Sequence, residues 1–359
     1  MRFGLGVPTG TEGLMYPVPY ADPEQAVQLA VEAERLGFNS VWGNDHVTTQ
    51  QYVRAEFEQP PRYYDPYLYL AYVAGQTTTL ELGTAITVFA FRNPVVLAKQ
   101  VTTLDQLSGG RFKLGVGIGA YREEAEAMWP GARIHRGRQA EEYTQALQLL
   151  FSERRASFAG EFVNFNDVES FPKPRQRTIP ILSGGNSTGA RERAARYGHG
   201  WLPAVLTPDE VAAGMTAIRE LADEAGRVLP EDFDVAPQLS VSIGRDTADA
   251  VANFETSQLY QHMRSLSSST LKDQDTADFA SRNLIGNAEQ MLAQVRAYAA
   301  AGVTTLSALL FAKNTVEETI DAMQWFSENV IAPYRAETGD VWPAGSTASA
   351  SAQTEGRGA

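Results

Sequence analysis

Eight times along the chain a short apolar run is followed by a longer stretch with helical periodicity, and this count limits the fold more than any other feature. The runs fall at 3–7, 40–42, 80–88, 112–119, 180–183, 200–204, 235–243 and 304–311. The helical stretches fall at 23–36, 66–77, 94–107, 136–151, 188–197, 208–225, 288–301 and 316–332. A strand-then-helix unit repeated eight times is the closure number of a (β/α)8 TIM barrel. An open doubly wound sheet shares the alternation but not the count. Two of the helices open on Asp-Pro (22–23 and 65–66), a side-chain cap followed by proline at the first helical position. A chain of 359 residues is long enough to bury such a core in one unit without covalent staples.

We expect one barrel domain over residues 1–336 and a disordered tail over 337–359, rich in Ala, Ser, Thr and Gly. A hairpin at 158–165 decorates the barrel. Long segments at 47–64 and 257–283, the second with a serine run at 267–269, interrupt the repeat at or near the barrel mouth and are expected as lids or as disorder.

Composition removes several function classes. The chain carries 43 acidic against 30 basic residues, a formal charge of −13, the wrong sign for nucleic acid or an anionic membrane surface. With no cysteine, disulfides, thiolate nucleophiles and Fe–S clusters are excluded, which fits a cytoplasmic location. There is no apolar stretch of roughly 18 residues for a membrane span. Four histidines (46, 135, 199 and 262) are too few to expect a three-histidine metal site, and no metal is expected.

Active sites of such barrels lie at the C-terminal ends of the strands. The second strand ends in Asp45-His46, where an imidazole can shuttle a proton; a surface histidine at a loop start is the plainer reading. The fifth ends in Gly184-Gly185-Asn186-Ser187 just before a helix, either an ordinary βα turn or a set of backbone amides for a phosphate. Glycines 115, 117 and 119 lack the spacing of a dinucleotide fingerprint and instead leave room for a flat ligand or a neighbouring backbone. Trp42, Tyr64, Tyr121 and Trp201 are candidates to line an apolar substrate pocket. His199 is expected to pack under the sixth strand, and His135 and His262 to be solvated.

The run Thr103-Leu104-Asp105-Gln106-Leu107-Ser108-Gly109-Gly110-Arg111, followed by the glycine strand, resembles the bacterial-luciferase-like superfamily, most closely its F420-type subgroup. Asp45-His46, the segment 92–100, Ser183-Gly184-Gly185 and Gly198-His199-Gly200-Trp201 extend the resemblance over about 1–335. It implies a barrel that binds FMN or coenzyme F420 at its mouth. It implies Asp45 and His46 as the pair beside the reactive ring. Thr84, Ala85 and Ile86 match a bulge that carries a non-proline cis peptide in relatives and backs the ring, and Gly184 to Ser187 match the turn that holds the phosphate. Two positions depart: Ile118 stands where luciferase has an FMN-binding arginine, and Ala120 near the place of the catalytic glutamate of sugar-phosphate dehydrogenases, with Glu123 and Glu124 the nearest carboxylates.

Two mechanisms follow from the resemblance. The leading one is a two-component monooxygenase of a small apolar substrate, using reduced FMN supplied by a flavin reductase and O2. The other is hydride transfer with F420. A non-catalytic flavin-binding barrel is the alternative from another class. The expected partners are the small-molecule substrate, the reductase and a second copy of the chain as a homo-oligomer.

Overall fold

The computed structural model describes residues 1–131, 135–266 and 280–340. Eight parallel strands carry the fold: Arg2–Val7 (β1), Ser40–Gly43 (β2), Glu81–Thr84 (β3), Phe112–Gly117 (β4), Ile181–Gly184 (β5), Gly200–Leu202 (β6), Gln238–Ile243 (β7) and Thr305–Phe311 (β8). They neighbour one another in chain order, with β1 beside β8 and β8 beside β7. The ring closes at a strand that Pro237 splits. Asp234–Val235 pairs with β6, and the Ser307 and Gln238 amides bond the Pro237 and Pro203 carbonyls on either side of the break. The expected barrel is therefore observed, with its seventh strand in two pieces because proline has no N–H for the ladder.

The helices start where the residues say they should. Asp22 and Thr207 build capping boxes with Gln25 and Glu210, and Asp65 and Asn93 cap their helices with proline next in line. The motif most specific to the resemblance is structural. Arg111 donates to the Leu80 carbonyl at 2.6 Å and the Ala74 carbonyl at 3.0 Å, while Asp105 accepts from Gln176 Nε2 at 2.7 Å. The Ala156–Ala159 and Asn164–Val168 hairpin stands apart from the barrel sheet. The insertions contain the helices Gln51–Glu56 and Gln258–Leu266; the serine run at 267–269 and residues 341–359 of the expected tail lie outside the described residues. No described helix is long and apolar enough to cross a membrane.

The barrel interior is stacked in layers. At the bottom, Lys113 Nζ lies 3.0 Å from both Asp234 and Glu81, and Arg2 Nη2 lies 2.9 Å from Asp234. Although burial alone would raise it, these cations and the Thr304 and Thr305 hydroxyls bring the Asp234 carboxyl down to about 2. Above it Trp42, flanked in register by Gly6 and Gly83, fills the barrel axis; a Cβ at Gly83 would overlap its ring.

The charged layer has a pH signature. A carboxyl depressed in the folded state stabilises above its unfolded pKa, and that contribution is lost as pH falls through the folded value. Asp234 therefore contributes ~2 kcal/mol above pH 4, lost between about pH 4 and 2. We expect Asp234→Asn to be less stable than wild type at pH 7 in urea unfolding, with the gap narrowing as pH approaches 2. A gap that does not change with pH would contradict this.

Candidate active site

A cavity of ≈690 Å³ opens above the Trp42 layer, within the ~300–1,000 Å³ range of small-molecule sites. Its walls come from the ends of β2 to β6 and from the mouth helices.

Its floor is Ile86. After β3 the chain makes a cis peptide at Ala85–Ile86 before pairing again at Thr87–Val88 with β4. The Ile86 side chain lies where Cβ atoms at Gly117 and Gly184 would be, so those two glycines make room for it. Gly115 is required for a different reason: a Cβ there would overlap the Thr84 carbonyl oxygen. Ala85 and Ile86 line the cavity, whereas Thr84 is fully buried and donates from its hydroxyl to the Gly115 carbonyl at 2.8 Å, holding the bulge from behind.

Asp45 and His46 face different ways. Asp45, 2% exposed, accepts from the Val88 N–H at 3.1 Å and pairs with Arg92, which also holds Asp65 at 2.9 Å. Burial pushes its carboxyl up, and Arg92 and the Val88 N–H oppose that. Its partners tie the end of β2 to the bulge, and Asp45 lines the cavity beside His46. His46 lies beside Glu124, its Nδ1 at 3.1 and 3.2 Å from the two carboxylate oxygens. Glu124 is 1% exposed and also accepts from the Val47 N–H at 3.0 Å. Gln50 Nε2 approaches the same Nδ1 at 3.2 Å while its oxygen accepts from the Tyr63 hydroxyl. One amide donor and one carboxylate thus compete for one ring nitrogen. A bond to a carboxylate is roughly twice as strong as a neutral one, so the proton belongs on Nδ1, directed at Glu124. His46 Nε2 has no hydrogen-bond partner among the described residues, and His46 lines the cavity.

The aromatic expectation divides. Tyr121 lines the cavity, its ring 5.8 Å from His46, and burial pushes its phenol far up. Trp42 does not reach the cavity: it is the buried layer below, its Nε1 donating to Ser40 Oγ at 2.8 Å. Trp201 points out of the barrel onto Gly214, because in a three-residue strand it is Leu202 that faces inward; its Nε1 braces the Gly185 carbonyl at 2.9 Å. Tyr64 lies in an outer groove between the helices Pro23–Arg35 and Pro66–Gln76.

One residue was missed in the sequence. His262, expected in solvent, is buried at the cavity wall and brought down to about 3 by that burial, so it is neutral. The Tyr52 hydroxyl joins it at 3.2 Å and Tyr121 at 3.3 Å, so the two mouth helices meet over the site. Of Glu123 and Glu124, the two carboxylates that the sequence places nearest Ala120, it is Glu124 that meets His46. His199 does pack beneath β6, its Nδ1 accepting from the Ile181 N–H at 3.3 Å, and His135 caps the helix Arg136–Ser152.

At the other wall, Gly184, Gly185, Asn186 and Ser187 all line the cavity. The Gly185 N–H is taken by the Leu202 carbonyl at 3.0 Å, and the Asn186 side chain bridges both ways to Ala204. The Ser187 hydroxyl caps the helix Thr188–Tyr197. The N–H groups of Asn186 and Ser187 bond nothing among the described residues. Arg191 and Arg193 line the same wall. Free main-chain amides, arginines and a helix N-terminus at one wall, with an imidazole on another and a shaped apolar floor between, fit a ring cofactor with an anionic arm.

A family model described as luciferase-like monooxygenase matches residues 1–305. An F420-dependent glucose-6-phosphate dehydrogenase from Kineococcus radiotolerans is 29% identical over 240 residues, covering 64% of this chain and 67% of that protein. Among solved structures, the monooxygenase RslO1 from Streptomyces bottropensis superposes with a TM-score of 0.74 at 23% identity, covering 93% of this chain and 100% of that one. An F420-dependent secondary alcohol dehydrogenase in complex with an F420–acetone adduct gives 0.72 at 20% identity, covering 92% and 98%. These two structural likenesses concern the fold.

Proposed function

Because this chain belongs to the luciferase-like monooxygenase family, a family of flavin- and F420-type oxidoreductases, we propose that it moves a hydride between coenzyme F420 and a small uncharged alcohol or carbonyl compound. The observation that carries this reading is His46, which lines the cavity and is held at Nδ1 by Glu124 while Nε2 has no partner among the described residues. Bound F420 supplies a deazaflavin ring that accepts or returns a hydride. The chain's task is the proton. In alcohol oxidation a proton and two electrons leave the carbon together as hydride, and the hydroxyl proton must leave as well; Nε2 receives it. In carbonyl reduction Nε2 returns it. Glu124 fixes the tautomer that leaves Nε2 free and stabilises the imidazolium that forms, as a carboxylate does behind a general-base histidine. His262 stays neutral and Tyr121 stays a phenol, so neither brings a fixed charge to this wall, in keeping with an uncharged substrate.

The mouth helices supply the observation for the second reading, FMN-dependent oxygenation with a separate reductase. Their contact through Tyr52 and His262 covers the site and would exclude water. One experiment separates the two. The protein is titrated without oxygen with F420 and with FMN, then supplied with a panel of alcohols, and the F420 absorbance is followed. Substrate-dependent F420 reduction is the expected result. Oxygen uptake and an oxygenated product with reduced FMN, and no F420 reduction, would select the oxygenase.

A further inference from the structure

Three uncharged polar groups at the cavity mouth form a chain that the proton transfer at His46 leaves unused. The Tyr52 hydroxyl lies 3.3 Å from the Tyr121 hydroxyl and 3.2 Å from His262 Nδ1. Tyr52 belongs to the helix Gln51–Glu56 and His262 to Gln258–Leu266, while Tyr121 precedes the helix Arg122–Met128. Tyr121 stands at the N-cap of that last helix, yet its side chain does not cap it. It lines the cavity instead, with its ring 5.8 Å from that of His46. Burial raises both phenols and brings His262 down to about 3, so all three groups are neutral and each can donate or accept. Ser265 also meets the Tyr52 hydroxyl, but its own proton goes to the His262 carbonyl at 2.7 Å, so toward Tyr52 it accepts. The Tyr121 hydroxyl has no hydrogen-bond partner but Tyr52 among the described residues. A phenol carries one proton. When Tyr121 directs that proton to a ligand, its oxygen accepts from Tyr52, and Tyr52 in turn accepts from His262 Nδ1–H.

We propose that Tyr121 is the second hydrogen-bond partner of the substrate oxygen, the end of a donor line that runs from His262 Nδ1–H through Tyr52. This rests on the hydride-transfer reading above, and its test keeps the two apart. The alcohol oxygen has two needs. Its proton goes to His46 Nε2, and the negative charge that develops on it calls for a donor on another side. Tyr121 supplies that donor without carrying a charge. In the carbonyl product both groups donate to the same oxygen, His46 from Nε2–H and Tyr121 from its hydroxyl. Each link polarises the next, so Tyr121 is a stronger donor than an isolated phenol. No covalent bond forms or breaks within the line, and each proton stays on its own oxygen or nitrogen. Tyr121 touches the substrate; Tyr52 and His262 are positioning residues. The line also selects: a compound of the same shape without the oxygen leaves the Tyr121 proton unpaired.

The test uses the F420-loaded protein with cyclohexanol, butan-2-ol and benzyl alcohol, and with the carbonyl product of whichever turns over fastest. That product beside oxidised F420 has no hydride to accept, so the complex persists. Nitrogen NMR of protein labelled at its histidines reads the His262 ring in this complex, its signal assigned by its loss in His262→Gln. A proton on Nδ1 is the expected result. A proton on Nε2 means that His262 accepts from Tyr52, and it overturns the line. Tyr121→Phe should lower kcat by about 10²–10³-fold, the range for one lost donor to a developing oxyanion, with KM changed less than about threefold. Tyr52→Phe touches no substrate and should lower kcat by about 2–10-fold, the worth of one neutral hydrogen bond. F420 affinity should stay the same in both. Unchanged kcat in Tyr121→Phe overturns the proposal and leaves hydride transfer in place. If Tyr121→Phe does not fold, the proton position on His262 in wild type decides. Wild type that reduces F420 with none of the three alcohols overturns the hydride-transfer reading, and this one with it.

Discussion

Replacing His46 with alanine is expected to lower turnover by roughly 10²–10⁴-fold, the range for a lost proton-transfer group, while cofactor affinity changes little. The separation follows from position. The ring's Nδ1 engages Glu124, and the arm-binding features lie on another wall, at the start of Thr188–Tyr197. Glu124→Gln is the companion variant, because Glu124 acts through the imidazole. An amide at that place still accepts from the Val47 N–H, but it no longer opposes the charge that His46 gains. We expect kcat to fall with KM nearly unchanged, and the pH dependence of kcat to shift. Stopped-flow reduction of F420 by substrate reads both variants. Unchanged turnover in His46→Ala would remove His46 from the mechanism. Loss in Glu124→Gln without any change in pH profile would reduce Glu124 to packing.

Gly115→Ala is expected to cost as much in stability as any single methyl group added to this chain. The new Cβ overlaps the Thr84 carbonyl oxygen, a backbone atom that cannot rotate aside. Overpacking of this kind costs about 1–3 kcal/mol, and more where backbone must yield. Thr84 also receives restraint from Thr87 Oγ1 at 3.1 Å, and the next residues form the Ala85–Ile86 floor, so movement of β3 is felt in the cavity. The expected result is a lower urea midpoint together with weaker binding of riboflavin. Gly75→Ala is the control: it lies in a helix with nothing within 4 Å of the added Cβ and should be neutral or slightly stabilising. Equal stability of Gly115→Ala and wild type would show that β3 and β4 have slack there.

Much of this architecture was legible before any coordinates. The eight-fold alternation, the caps at Asp22 and Asp65 and the glycines of the fourth strand are local signals, and local signals survive in a linear string. The glycine alternatives are a good example: neighbouring backbone is what Gly115 meets, and a neighbouring side chain is what Gly117 meets. The Gly184–Ser187 turn was likewise recognisable as a turn before a helix, though its Gly185 amide proved to be occupied.

The direction in which a side chain faces was a different matter. Trp42 and Trp201 sit on short strands where a change of one residue in parity exchanges barrel axis for outer surface, so neither could be placed from sequence. Tyr64 ends a loop whose path depends on where Asp65 starts the next helix. His262 and Glu124 gain their surroundings from partners 210 and 78 residues away, Tyr52 and His46. The Arg193 side chain is buried at the cavity wall, a placement that exists only once every neighbour is in place. Periodicity and capping are written within a few residues of one another, and so the chain alone determined its barrel and the strand ends that carry chemistry. Proton chemistry and anion binding depend on which distant groups share a buried volume, and only closure of the barrel decided that.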